Sequence, residues 1–172
     1  MNFSERFWRV AVIQILAEPN TNTDHQDVIL RRAISSLYYG LFHRINEDAA
    51  SLIAPNVSTA TNHRIQRWFD HTMMKQICGR FLKEQLDQPL SGLVGTTASE
   101  DLQTVCRAFI ELQEARHAAD YDPGFIVDQP RARQYASSAV KAIGAWSRIN
   151  ETAEANVFIL SLLLWKNWER ER

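Results

Sequence analysis

The chain has 172 residues, 45% apolar and 23% charged, with 19 Lys and Arg against 20 Asp and Glu and a formal net charge of −1. That length suits one compact domain, and five Trp, eight Phe and four Tyr supply enough apolar surface to offset chain entropy, which excludes wholesale disorder. The balanced charge excludes coating of nucleic acid through bulk positive charge and leaves only a local basic stripe for phosphates.

Cys78 and Cys106 are the only cysteines, too few for a four-thiolate zinc site or a secreted disulfide scaffold, and they point to a reducing, cytoplasmic setting. No export signal is evident, because the stretch Val10 to Leu16 is interrupted by Gln14 and lacks a small-residue cleavage pattern. The most apolar run, Val157 to Trp165, is about half the roughly 20 residues a membrane-spanning helix needs. A membrane is therefore not expected as a partner.

Six Gly and five Pro cluster between long helix-forming stretches, so the spacing predicts a single all-α bundle of five or six helices over residues 1–172. A first helix is predicted over 4–17, with Phe7, Val10, Ile13 or Ala11, and Leu16 or Ala17 facing inward. A second begins near Thr23, where Thr23-Asp24-His25-Gln26 fits a capping box. Leu30, Ile34, Leu37, Leu41 and Ile45 then form one seam over more than four turns, ended by Pro55. A third helical region is predicted over 61–86, bent near Gly79. Residues 87–96 read as a loop, and Thr97-Ala98-Ser99-Glu100 as a second capping box. The fourth helix buries Leu102, Val105 or Cys106, Phe109 and Leu112, and ends before Asp122-Pro123-Gly124. A fifth is capped by Asp128 with Pro130 in its first turn and runs towards Asn150. A last segment covers 152–169; its stretch Val157 to Trp165 is apolar all round if helical and must be either core or an interface.

On the second helix Arg32, Ser36, Tyr39 and His43 are spaced by four, three and four residues, which puts four polar groups on one strip beside the apolar seam. Such a strip suits contact with a phosphate or carboxylate in a groove; it equally suits side chains hydrogen-bonded to a neighbouring helix. At the end of the fourth helix, Arg116 and Asp120 are one turn apart, next to His117, Tyr121 and Asp122, and on composition alone form a structural pair. Gly-rich phosphate loops, G-x-S-x-G elbows and H-E-x-x-H helices are missing, so no cofactor is expected. His63, Asp70 and His71 read as an exposed polar face rather than a metal site.

Two stretches, Arg32-Ala33-Ile34-Ser35-Ser36-Leu37-Tyr38-Tyr39-Gly40-Leu41-Phe42-His43 and, much later, Arg116-His117-Ala118-Ala119-Asp120-Tyr121-Asp122, resemble HEPN-domain proteins in content, order and separation. The resemblance covers about residues 24 to 150 and rests on the two motifs together. It implies a HEPN-like helical bundle from prokaryotic defence or toxin–antitoxin systems, commonly a homodimer and commonly encoded with a nucleotidyltransferase partner. Many relatives are metal-independent ribonucleases in which an Arg, followed after four to six residues by a His, acts across a dimer. The Arg stabilises developing phosphate charge and the His moves a proton for the 2′-hydroxyl. Here the positions after Arg116 bring Asp120, Tyr121 and Asp122, with no His at that distance. Arg64 and His71 have six residues between them but lie in a different helical region from that pair.

The favoured reading is thus a HEPN-like protein that binds RNA or a nucleotide-bearing partner between its second and fourth helices. His43, Arg116 and Asp120 are the candidate catalytic residues, and Arg32, Ser36, Tyr39 and Tyr121 the candidate substrate-binding residues. A metal-independent endoribonuclease with a rearranged centre and a non-catalytic adaptor are the alternatives.

Overall fold

The computed structural model describes residues 2–16 and 23–170; the side chains of Thr23, Asp24 and residues 168–170 lie outside what it describes, and with them the cap expected at Thr23. Eight helices are present among the described residues: α1 (Phe3–Leu16), α2 (Thr23–Ile53), α3 (Thr59–Gln66), α4 (His71–Phe81), α5 (Leu90–Val94), α6 (Glu100–Tyr121), α7 (Gln129–Ile149) and α8 (Ala153–Arg170), with no strand. The chain is all-α, as expected, but with more helices than the predicted five or six.

The extra helices have local causes. The predicted 61–86 helix is broken at Arg67–Asp70, not bent at Gly79. Asp70 leaves helical geometry, with φ −101° and ψ 133°, and its carboxylate accepts from Met73 N at 2.8 Å, which starts a new helix. That helix ends at Phe81. The segment read as a loop contains the short α5, whose Leu90 is fully buried; Gly95, at φ +100°, closes it in a conformation that favours glycine. The capping box expected at Thr97 is also replaced. Ser99 is the cap, accepting from Leu102 N at 3.2 Å, and the carboxylate that accepts from its N–H at 2.7 Å belongs to Glu154 of α8 rather than to Glu100. The Asp128 cap forms as predicted, accepting from Arg131 N at 2.8 Å with Pro130 in the first turn.

α2 runs through the middle of the molecule and packs against α1, α3, α6 and α7, while α4 joins α6 and α8. Its predicted seam is buried throughout: Leu30, Ile34, Leu37, Leu41 and Ile45 are each at most 1% exposed. α6 buries Leu102, Val105, Cys106, Phe109 and Leu112, also as predicted. α1 is turned in part from its expected orientation. Of the residues expected inside, Ala11 is buried and Phe7 half-buried, whereas Val10, Ile13 and Leu16 are 46%, 68% and 68% exposed and Ala17 lies outside the described residues; Ser4 and Ile15 complete the inner face. The turn seats the Trp8 indole against α2 at Gly40, where an added Cβ would come within 2.9 Å of Trp8 Nε1. α8 buries Ala155, Phe158, Ile159, Leu162 and Trp165 and leaves Leu160 and Leu164 outward, so its inner face is core. Among the described residues no helix is long and apolar enough to cross a membrane.

Candidate functional site

The two motif stretches meet where α2 lies along α6. Arg116 Nη2 donates to the Tyr39 hydroxyl at 2.9 Å, and Arg116 Nε sits 2.8 Å from Asp120 Oδ2, in an ion pair whose side chains are 25% and 20% exposed. The other oxygen of Asp120 accepts from Ser35 Oγ at 2.8 Å. The guanidinium also lies over the Tyr39 ring at 5.4 Å and near that of Tyr121 at 5.9 Å, distances at which ring and cation attract. Arg116, Asp120, Tyr39 and Ser35 thus direct their polar groups at one another and tie the two helices together.

The remaining predicted residues separate from this cluster. Arg32 is exposed and makes no hydrogen bond or ion pair among the described residues. Its neighbour Arg31 is the cation that braces the α6–α7 turn, donating to the carbonyl oxygens of Ala119 at 3.2 Å, Asp122 at 2.8 Å and Phe125 while it pairs with Asp27. Ser36 is half-buried, and the hydroxyl that reaches Asp120 is that of Ser35. Tyr121 is 66% exposed at the end of α6.

His43 faces elsewhere. It lines a cleft of about 890 Å³ enclosed by the start of α1, the second half of α2, α3 and the start of α4. Its ring stacks on Phe7 at 5.4 Å and 17° and lies 6.1 Å from Tyr39 at 22°, with Phe3 edge-on at 4.7 Å. Burial pushes the His43 imidazole down to about 4, and the positive form of His71 would add to the push, so the ring is neutral at pH 7.

His71, the first residue of α4, is the group that local sequence patterns did not single out for this site. Its ring stacks on Phe42 at 3.9 Å, its backbone carbonyl accepts from Gln113 Nε2 at 3.1 Å, and its Nδ1 lies 2.5 Å from the Tyr38 hydroxyl. Burial pushes the Tyr38 phenol well up, so it stays protonated and donates to Nδ1, which leaves the imidazole proton on Nε2. His71 is itself held below the ordinary histidine value by burial and then by the charge of Arg116, with Asp70 opposing. The Arg64–His71 spacing carries no shared face, because the break at Asp70 puts Arg64 on α3 and His71 on α4.

Charge around the cleft is divided between bound and open groups. Glu47 accepts from Ser4 N and Oγ at 3.0 and 2.7 Å. Asp48 pairs with Arg44 and accepts from Trp146 Nε1 at 2.8 Å. Arg6, His63 and Arg67 are exposed at the rim and make no ion pair among the described residues. Both lining carboxylates are thus occupied by the protein and the rim cations are not. Among the described residues no group of three or more His, Cys, Asp or Glu is placed to hold a metal ion.

The signal for His71 was the Asp70 cap, which would have placed the imidazole at the head of a helix, but nothing local tells which helix it meets. No family model matches the chain, and no curated protein or solved structure shows significant similarity to it.

Proposed function

We propose that this chain is a HEPN-like RNA-binding protein whose ligand enters the cleft lined by His43 and His71. The observation that carries the reading is the pairing pattern of that cleft: its acids accept hydrogen bonds from protein groups, while Arg6, Arg67 and His63 at the rim make no ion pair among the described residues. Arginine forks without a carboxylate suit phosphate oxygens. The contact of the α2 and α6 motifs supports the family resemblance, and Arg116 and Asp120 serve in it as the brace that positions α2. Self-association as a homodimer, a nucleotidyltransferase partner and a place in a defence or toxin–antitoxin pair belong to the same reading.

The test is anisotropy of labelled RNA against wild type and the Arg6→Ala, Arg67→Ala double variant. The reading expects the variant to lose affinity and to show a shallower salt dependence, since each phosphate contact contributes to the slope. An unchanged slope would show that the rim makes no phosphate contact.

A second reading, metal-independent RNA cleavage, is favoured by one observation: two imidazoles from different helices flank Phe42 in the same cleft. In such a step one imidazole takes the 2′-hydroxyl proton, the 2′-oxygen bonds to phosphorus, and the bond to the 5′-oxygen breaks as the other imidazole protonates it. The products are a 2′,3′-cyclic phosphate and a 5′-hydroxyl. Because both histidines titrate below the ordinary value, the rate is expected to peak on the acid side of neutrality. Incubation of RNA with protein in chelator, with no cyclic-phosphate ends at any pH, would remove this reading and leave binding standing.

A further inference from the structure

The cleft has a rim and a floor of different chemistry. Arg6, His63 and Arg67 are exposed at its mouth, while Phe42 and Phe69, 4% and 6% exposed, and the half-buried His43 and His71 lie deeper. A duplex presents its phosphates on a rigid rod, and the edges of its bases lie in grooves that do not project outward. Such a rod can meet the rim cations and reach nothing below them. Only a group free to leave its strand can enter between the helices, and about 890 Å³ lies within the range of about 300–1,000 Å³ of sites that take small ligands.

The side chains inside fit a nucleotide at both of its ends. Phe3 is 47% exposed at the mouth and stands edge-on to His43, which leaves ring surface open for a base to stack on. His71, with Nδ1 taken by Tyr38, has a fixed Nε2–H donor for a phosphate or base oxygen. The phosphates on either side of an inserted nucleotide would remain at rim level with Arg6 and Arg67.

We infer that the cleft admits one unpaired nucleotide of an RNA strand, so that the protein selects single-stranded over duplex RNA. This rests on the RNA-binding reading above. It assigns Phe3 and His71 as contact residues and Tyr38 as a positioning residue that fixes the His71 tautomer.

The experiment measures anisotropy of the full chain with a labelled mixed-sequence oligoribonucleotide, with its blunt duplex, and with unlabelled nucleoside monophosphates as competitors. The single strand is expected to bind about tenfold or more tightly than the duplex, as the loss of one stacked base implies. Phe3→Ala and His71→Asn should each weaken the single strand and leave the residual duplex affinity alone, whereas Arg67→Ala should weaken both. Phe3 is partly exposed, so its variant remains informative if His71→Asn unfolds. Equal binding of strand and duplex, or wild-type affinity in Phe3→Ala, overturns the inference while RNA binding stands. Nucleoside monophosphates that bind as tightly as the strand overturn it in favour of a free-nucleotide pocket. Binding of no RNA in either form removes the parent reading and the inference with it.

Discussion

Replacing Arg116 by Met removes the charge and the hydrogen bonds of the α2–α6 brace while keeping an unbranched apolar stem of similar reach. Two polar interactions are lost, along with the attraction of the guanidinium to the Tyr39 ring. The bond to the Tyr39 hydroxyl has a charged donor, and such bonds contribute about 1.5–3 kcal/mol. The pair with Asp120 is partly open to water, so solvent reduces it to about 0.5–1 kcal/mol. Asp120 retains Ser35 as a donor, which limits the cost of its stranded charge. Together these give a destabilisation of about 2–4 kcal/mol; at about 2–4 °C per kcal/mol for a chain of this size, Tm should fall by about 4–16 °C. Urea unfolding measures the free energy, and NMR titration of the imidazoles reads a second consequence. The positive charge of Arg116 helps to hold His71 below its ordinary value, so Arg116→Met should move the His71 midpoint upward, with burial still keeping it under 6.5. A loss below about 0.5 kcal/mol, the range of an ordinary surface change, would refute the brace. An unmoved His71 would refute its electrostatic link to α4.

Two other substitutions and conditions are equally specific. The folded value of about 4 for His43 lies below its ordinary 6.5, so the unfolded chain binds more protons across that window; stability should therefore be complete above pH 6.5 and decline as pH falls towards 4, with His71 acting in the same direction. Urea midpoints across that range test this, and His43→Gln should flatten the profile; an unchanged midpoint between pH 7 and 5 would contradict it. Gly40→Ala places a Cβ 2.9 Å from Trp8 Nε1 and should cost about 1–3 kcal/mol through overpacking, a loss that the Trp8→Phe background should largely relieve.

Much of the fold is written in local patterns, and the failures have physical reasons. The α2 seam was legible because its residues recur at helical period over many turns and meet neighbours on both sides. The Asp128 cap was legible because cap and Pro130 lie within three residues of each other. α1 was legible only at Phe7 and Ala11 because nearly every position on it is apolar or large; its orientation depends on Gly40, a residue on another helix that leaves room for Trp8. The cap of α6 was placed two residues early because its second carboxylate comes from Glu154, more than fifty residues away. The site divides in the same way. The spacing of Arg32, Ser36, Tyr39 and His43 on α2 marked a polar strip and that of Arg116 and Asp120 on α6 a pair, but the contact of Tyr38 with His71 joins α2 to a helix whose start had been read as the middle of another. Reading through Asp70 hid His71.

Tyr39 is where the brace and the cleft touch, and its two functions can be separated. Its hydroxyl faces α6 and takes the Arg116 hydrogen bond, while its ring runs nearly parallel to His43, 6.1 Å away. Tyr39→Phe removes only the hydroxyl. It should cost about 1.5–3 kcal/mol of stability, more than a neutral bond because the donor is charged, and should leave the position of His43 and the RNA affinity expected of the cleft unchanged. Tyr39→Ala removes the ring as well, so His43 loses one of the aromatic faces that hold it and RNA affinity should fall beyond what the stability loss explains. If Tyr39→Phe instead weakens RNA binding as much as Tyr39→Ala while the protein stays folded, the hydroxyl or Arg116 touches the ligand directly. The binding surface would then lie along the α2–α6 seam, and the cleft would be secondary to it.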